Sequence, residues 1–172
     1  MKLIKYSAAF ILTFIIMSCD EDISPQSLSQ SDIQGEWFLT ELNASSPVDL
    51  NNDGTTNLDL TKETNCFENM KVNFEGSTYQ LTYPKIEFSG ENNNELNCID
   101  TLNSGSYILE DGNLNATTTI DNTTYRESVL IQLENNTLKF SISRDQVSKY
   151  LDLNTINNEN SNLEFLEFVF QK

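Results

Sequence analysis

The stretch "TTYRESVLIQLENNTLKFSIS" (residues 123–143) decides the fold, because hydrophobic residues recur there at every second position in two runs. Such alternation places the hydrophobic side chains on one face of a β-strand. The first run contains Tyr125, Val129, Ile131 and Leu133, and the second contains Leu138, Phe140 and Ile142. Asn135-Asn136 separates the two runs and is typical of a tight turn. The stretch therefore predicts a β-hairpin that buries one face.

Neighbouring stretches repeat this pattern in short runs. "MKVNFEGSTYQLTY" (70–83) and "GSYILEDGNLNATTTI" (105–120) each predict two strands around a turn, and Asp111-Gly112 is a favoured type I′ hairpin dipeptide. "GEWFLTELN" (35–43) predicts a first strand with Trp37, Leu39 and Glu41 on one face, and "LEFLEFVFQK" (163–172) predicts the last strand. The Asn-rich stretches 91–97 and 154–162 are expected to be loops.

A helical pattern occurs in "SRDQVSKYLDL" (143–153), where Asp145 is the expected N-cap and Val147, Tyr150 and Leu151 share one face. About eight short antiparallel strands fit either an up-and-down β-barrel or a sandwich. Closure into a barrel removes exposed sheet edges, which favours the barrel. The predicted fold class is an all-β, antiparallel up-and-down barrel with one short helix.

Several motifs, in this order, carry a resemblance to a known family. They are Gly35-Glu36-Trp37, Cys66, "NMKVNFEGSTY", Cys98, "GSYILEDGNL", "VLIQLENNTLKFSI" and the terminal "EFVFQK". The chain resembles the lipocalin-like lipoproteins of Bacteroidetes, including Flavobacteria, over roughly residues 33–172. The resemblance implies one lipocalin-like barrel domain over these residues, with a small apolar ligand inside the barrel.

The N-terminal sequence predicts that the protein is exported from the cytoplasm. Lys2 and Lys5 precede an apolar run over residues 7–17, which is the pattern of a secretory signal (residues 1–18). Residues 16–19 resemble the bacterial lipobox, in which the cysteine, here Cys19, becomes the lipidated N-terminus. An ordinary secretory signal with an incidental cysteine is the alternative. Residues 19–32 are then a lipidated polar tether.

Acidic residues 20–22 resemble the surface-export signal of Bacteroidetes lipoproteins. They predict a lipid-anchored protein of the bacterial outer membrane at the cell surface, with the periplasmic face as the alternative. The chain carries a formal net charge of −16, which repels nucleic acid, so no nucleic-acid partner is expected.

Residue types exclude several chemistries. The chain has no His, which excludes Ser-His-Asp and Cys-His catalysis and His-ligated zinc. No glycine-rich phosphate loop occurs either, and the chain is therefore expected not to be an enzyme. With Cys19 lipidated, Cys66 and Cys98 form an even pair in an oxidising compartment, which predicts a disulfide. Two buried free thiols are the alternative.

Two function classes remain open. One is a module that binds a small apolar molecule in its barrel, and the other is a structural or interaction lipoprotein with a filled barrel that works through its loops and calcium. A continuous apolar cavity of about 300 Å³ or more would favour the first class. Glu127 shares a strand face with Tyr125 and Val129, so Glu127 and Tyr125 are the candidate ligand contacts. A water-exposed position near a strand end is the alternative for Glu127.

The stretch "DLNNDGTTNLDL" (49–60) predicts a calcium site. Asp49, Asn51 and Asp53 occupy positions 1, 3 and 5 of a calcium loop, with a glycine at position 6. The other candidate ligands are Thr55 through its carbonyl, Asn57, and Asp59. Leu60 stands where an EF-hand has its bidentate Glu, so Asp59 or Glu63 would have to complete the shell. A polar Asx-rich turn is the alternative.

Overall fold

The computed structural model describes residues 28–89, 95–120, 122–147 and 163–172. The signal segment 1–18, Cys19 and the expected loop at 154–162 lie outside the described residues, as does the part of the expected helix after residue 147. None of the described helices has the length and apolar character that crossing a membrane requires.

Nine strands and three short helical segments make up the described chain. The strands are β1 (Gly35–Val48), β2 (Asn57–Asp59), β3 (Lys71–Glu75), β4 (Thr78–Ser89), β5 (Glu95–Glu110), β6 (Asn113–Ile120), β7 (Thr123–Glu134), β8 (Thr137–Ser143) and β9 (Phe165–Gln171). Two 3-10 turns cover Leu60–Lys62 and Asn65–Phe67, and α1 covers Arg144–Val147.

The sheet closes on itself through β1. The start of β1 (Gly35–Phe38) pairs with β3, and its middle (Phe38–Ala44) pairs with β9, both antiparallel. The strands follow the order β1-β3-β4-β5-β6-β7-β8-β9 around the barrel, while β2 is an extra strand on the far end of β1. The predicted fold class, an antiparallel up-and-down barrel of eight strands, is confirmed.

Two hairpin turns form where the sequence predicted them. Asp111 and Gly112 join β5 to β6 with φ of 50° and 75°, and Asn135 and Asn136 join β7 to β8 with φ of 49° and 62°. Positive φ at both central residues is the type I′ conformation, whose twist matches that of the strands.

The expected alternation in β1 is wrong beyond Leu39. Leu39 pairs with Phe170 and Glu41 with Val169, so Thr40 is an extra residue in β1. A bulge of this kind shifts the following side chains to the other face. Glu41 is therefore exposed, and the buried residue that follows is Leu42.

The expected loop at 91–97 is also wrong at its end, because residues 95–97 begin β5. There Asn97 pairs with Glu87, and Leu96 pairs with Phe88. Pairing with β4 thus overrides the loop preference of the asparagine-rich sequence. Residues 91–94 lie outside the described chain.

The expected N-cap of α1, Asp145, lies two residues too late in the sequence, because it is inside the helix. Ser143, not Asp145, caps the helix, because the Ser143 N–H and hydroxyl both donate to Gln146 Oε1, at 2.9 and 3.2 Å. A side chain that reaches back from the first turn to the N–H of the capping residue is the capping-box arrangement.

One end of the barrel is closed by the residues that precede β1. Ile33 is fully buried, and the Trp37 indole N–H donates to its carbonyl at 2.7 Å. Lys172, which directly follows β9, places its Nζ 4.7 Å from the centre of the Trp37 ring. The Gln34 amide donates to the Tyr107 hydroxyl at 2.7 Å, which fixes the segment to the barrel wall. We call this the closed end.

Candidate functional site: an apolar cavity with one acidic wall

A cavity of about 150 Å³ lies inside the barrel. Its wall is contributed by inward-facing residues of the strands, by two residues that precede β3, and by Gln146 of α1. The apolar lining residues include Leu42, Phe67, Met70, Val72, Phe74, Leu81, Leu114, Ala116, Val129, Phe140, Ile142, Leu166, Phe168 and Phe170. Alternation along each strand is what directs these side chains inward.

The cavity occupies only part of the barrel interior. Trp37, Tyr107, Ile131 and Leu138 are buried core residues and do not line it. Large side chains thus fill the closed end. The volume of about 150 Å³ is half of the roughly 300 Å³ that would favour the ligand-binding class over a filled barrel. An eight-stranded barrel is either filled by its own side chains or holds one small ligand.

Glu127 supplies the acidic group of the wall. The residue lies on β7, pairs with Ala116 of β6, and faces the cavity. Gln146 Nε2 donates to Glu127 Oε2 at 2.9 Å. Tyr125, two residues earlier on β7, is 44% exposed and is not among the lining residues. Of the two candidate ligand contacts, the structure therefore places Glu127 alone at the cavity.

A second polar group lies on the wall beside Glu127. The Thr118 hydroxyl lies 2.8 Å from both Asn103 Oδ1 and the Ser104 carbonyl oxygen, and Asn103 and Thr118 both line the cavity. The Tyr79 hydroxyl interacts with Thr118. Burial raises the pKa of Tyr79, and the negative charge of Glu127 raises it further, against a smaller lowering effect of the bond to Thr118. Tyr79 is therefore a neutral hydrogen-bonding group at the cavity.

Gly105 allows Tyr79 to lie against the sheet. Gly105 pairs directly with Tyr79 on β4 and with Thr118 on β6. A Cβ at Gly105 would come within 2.1 Å of the Thr117 carbonyl oxygen and 2.9 Å of the Tyr79 ring. Only glycine fits this close approach of backbone and ring.

The start of the predicted calcium loop folds on itself. Asp49 accepts hydrogen bonds from the N–H groups of Asp53 and Gly54, at 3.1 and 2.9 Å, and Asp53 accepts one from Thr55 N–H at 2.7 Å. Asn51 accepts from Asp53 N–H at 3.0 Å. These are the bonds of an Asx-rich turn. Among the described residues, no three acidic or thiol side chains come together as a metal-binding group.

The second half of the predicted loop belongs to a different network. Asp59 Oδ1 accepts from Leu42 N–H at 3.2 Å and from Thr61 N–H at 3.1 Å, so it holds β1 and caps the 3-10 turn at Leu60–Lys62. Glu63 accepts from Leu50 N–H at 3.1 Å, and Asn57 donates to its other carboxylate oxygen. Both acids are buried, and each carboxylate serves as the acceptor for a main-chain N–H group that would otherwise need a main-chain carbonyl oxygen. Calcium binding stays a prediction.

The predicted disulfide is present. Cys66 and Cys98 are bonded, with their Cα atoms 5.6 Å apart. Cys66 lies in the 3-10 turn at Asn65–Phe67, and Cys98 pairs with Ile86 in the β4–β5 hairpin. The bond therefore fastens the segment that contributes Phe67 to the cavity onto the barrel wall.

Sequence reasoning missed most of the polar wall. Thr118 and Asn103 sit at inward positions of strands, where a polar residue in an alternating pattern is a detectable signal. Gln146 gave no such signal, because its position depends on how α1 folds back over the end of the barrel.

A family model described as "Domain of unknown function (DUF5004)" matches residues 16–165 of the chain. No curated protein and no solved structure matches.

Proposed function

We propose, for a chain that belongs to the DUF5004 family, that its barrel binds one small and mainly apolar molecule. The protein would act as a lipocalin-like binding module rather than as an enzyme. The single observation that supports this proposal is the cavity of about 150 Å³ with its apolar wall and its few polar groups at one side. Pockets for small molecules share this composition, because apolar walls supply affinity and a few polar groups fix the orientation.

The cavity volume limits the size of the ligand. An apolar cavity of about 150 Å³ in another protein holds a benzene-sized molecule, so we propose a ligand with a single ring or a short alkyl chain. Fatty acids with long chains exceed this volume.

The proposed location follows from the sequence. Cys19 would carry the lipid anchor in the outer membrane, with the domain at the cell surface. Acyl chains add about 0.8 kcal/mol of membrane affinity for each buried methylene, and two chains give stable anchoring.

The test has two stages. A native mass spectrum of the purified domain should show a small molecule that co-purifies, or an apo form that binds 1-hexanol in titration calorimetry. Ala116 lines the cavity, so Ala116→Leu should fill it and abolish binding. Ser128→Leu adds a leucine at an exposed position of β7 and is the matched control, which should bind as the wild type does. Equal binding by Ala116→Leu would reject the cavity as the site.

A filled-barrel interaction module is the second candidate, and the small volume of the cavity favours it. That module would work through its loops and the turn at 49–60, and it would hold no molecule in the barrel. A wild-type domain that neither co-purifies with a small molecule nor binds 1-hexanol would support this candidate over the first.

A further inference from the structure

We propose that the ligand of this cavity carries a neutral oxygen acceptor, such as a carbonyl group, and that the side-chain amide of Asn103 donates a hydrogen bond to it. This inference rests on the proposed function, since it names the chemical class of the molecule in the barrel. Its basis is the place of Asn103 in the wall, the hydrogen bond that orients its amide, and the amide nitrogen that this bond leaves available.

Asn103 is a polar side chain at an inward position of the wall. It lies on β5 and pairs with Leu81 of β4, and both residues line the cavity. Apolar side chains usually take such positions, because an amide that turns inward gives up hydrogen bonds to bulk water. Asn103 therefore needs partners inside the barrel, and these can come from the fold or from a ligand.

The Thr118 hydroxyl orients the amide of Asn103. It lies 2.8 Å from Asn103 Oδ1 and 2.8 Å from the Ser104 carbonyl oxygen, and both of these atoms are acceptors. Thr118 is therefore the donor, and Oδ1 is the end of the amide that faces it. The Nδ2 atom, with two N–H donors, lies at the opposite end of the planar amide.

Asn103 Nδ2 is available as a donor. Among the described residues it has no hydrogen-bond partner, since the side chain of Asn103 is engaged through Oδ1. It is also accessible, because Ser46 Oγ alone is both buried and unpartnered among the side-chain nitrogen and oxygen atoms of the described chain. A purely apolar ligand that covers Nδ2 would remove its water without replacing the hydrogen bond, whereas a ligand oxygen replaces it.

The rest of the lining favours a neutral acceptor over a carboxylate. Neither lysine nor arginine occurs among the described residues that line the cavity. A ligand carboxylate would therefore bring a charge into a mainly apolar space without a cation to pair with it, which is costly. A carbonyl oxygen accepts the same hydrogen bond without a charge. Its hydrocarbon body would lie against apolar side chains such as Phe140 and Phe168, which also line the cavity.

The experiment titrates the intact isotope-labelled protein with cyclopentanone and with methylcyclopentane, and follows the backbone and side-chain amides by NMR. Both probes are small rings with the same number of non-hydrogen atoms, and they differ in an oxygen or a methyl group on the ring. Cyclopentanone should move the side-chain N–H resonances of Asn103 downfield, as a new hydrogen bond does. Methylcyclopentane should bind without moving them downfield.

Asn103→Leu removes the donor and keeps a side chain of similar size. Thr118 keeps the Ser104 carbonyl oxygen as its acceptor in this variant, so the fold should persist. The variant should bind cyclopentanone about fivefold more weakly than the wild type, which is the typical net effect of one lost hydrogen bond. It should bind methylcyclopentane no more weakly. Asn97→Leu makes the same change at an exposed position of β5 and should bind both probes as the wild type does.

The two proposals fail in different ways. Equal cyclopentanone affinity of Asn103→Leu and wild type would overturn the acceptor class and leave the binding function standing. The wild type tests the same point without a variant, because cyclopentanone binding that leaves the Asn103 side-chain resonances in place would also overturn it. Binding of methylcyclopentane alone would do the same. If the wild type binds neither probe, the proposed function fails as well.

Discussion

Asp59 shows how a single buried carboxylate holds the barrel and its extra strand together. It accepts hydrogen bonds from Leu42 N–H and Thr61 N–H and lies 3.5 Å from Lys62 Nζ. Asp59→Ala would leave the Leu42 N–H without this acceptor, and a buried unpaired donor costs about 1–3 kcal/mol. We expect the free energy of unfolding in urea to fall by about this amount. Glu68→Ala at an exposed position should leave it unchanged, and an Asp59→Ala midpoint equal to that of the wild type would contradict the assignment.

The Asp59 contribution should depend on pH. Burial raises the pKa of Asp59, but the hydrogen bonds from Thr61 and Leu42 and the charge of Lys62 together outweigh it, so the folded pKa lies below the ordinary value of 3.8. Because the folded pKa is lower than the unfolded one, the stabilisation is complete above 3.8 and is lost as the pH falls through the folded pKa. The difference in unfolding free energy between wild type and Asp59→Ala should therefore be constant near neutral pH and decrease in acid.

Calcium binding by the turn at 49–60 is a separate residue-scale prediction. Asp49, Asn51 and Asp53 already fold around backbone N–H groups, and oxygen ligands in this order suit calcium. A calcium ion that binds the folded protein raises its melting temperature by mass action. We expect the wild type to melt higher with calcium than with a chelator, and Asp53→Ala to melt at one temperature in both. Identical melting of the wild type in both conditions would leave only the Asx-rich turn.

At the scale of elements, the disulfide should contribute strongly to stability. Cys66 and Cys98 are 32 residues apart in sequence, and closing a loop of this length stabilises the folded state by roughly 3–4 kcal/mol in the chain-entropy model. The variant with both Cys66→Ser and Cys98→Ser should therefore unfold at a lower urea concentration. Wild type measured in reducing buffer should match the variant, whereas an unchanged midpoint in both would contradict the prediction.

The elements that could be predicted from sequence are those whose cause is local. Asp111-Gly112 and Asn135-Asn136 adopt positive φ through their own chemistry, and the alternation between them fixes which face is buried. The bulge at Thr40 could not be predicted, because it arises from the pairing of β1 with β9, which is remote in sequence. The same is true of Asn97, whose local preference for a loop yields to its pairing with Glu87.

The candidate site likewise has one part that the local sequence predicts and another that depends on contacts between remote residues. Alternation along β7 placed Glu127 on the inner face, and the structure agrees. Its partner Gln146 lies beyond β8 on α1, and only the folded chain brings the two side chains within 2.9 Å. The volume of the cavity could not be predicted either, since it depends on how completely Trp37, Tyr107 and their neighbours fill the closed end.

At the scale of the whole molecule, the two ends of the barrel differ. The described chain enters at the closed end, where residue 28 is partly buried against the core and Ile33 is fully buried. Gln146 lies at the opposite end, because α1 follows the end of β8 that is remote from Lys172 and Trp37. If Cys19 is the anchor, a link of residues 19–27 reaches at most about 30 Å when extended. The closed end would then face the membrane, and the end that carries Gln146 would face away from it.

The lipid anchor itself is the last prediction. Residues 16–19 resemble a lipobox behind an apolar run, so Cys19 is the expected site of lipidation. Cys19→Ala removes the thiol that would receive the acyl chains. The variant should move from the membrane pellet to the soluble fraction, because it can no longer carry the acyl chains that would hold it there. Cys66→Ser with Cys98→Ser keeps Cys19 and should stay in the pellet. A Cys19→Ala protein that still pellets with membranes would reject the lipid anchor and the orientation that follows from it.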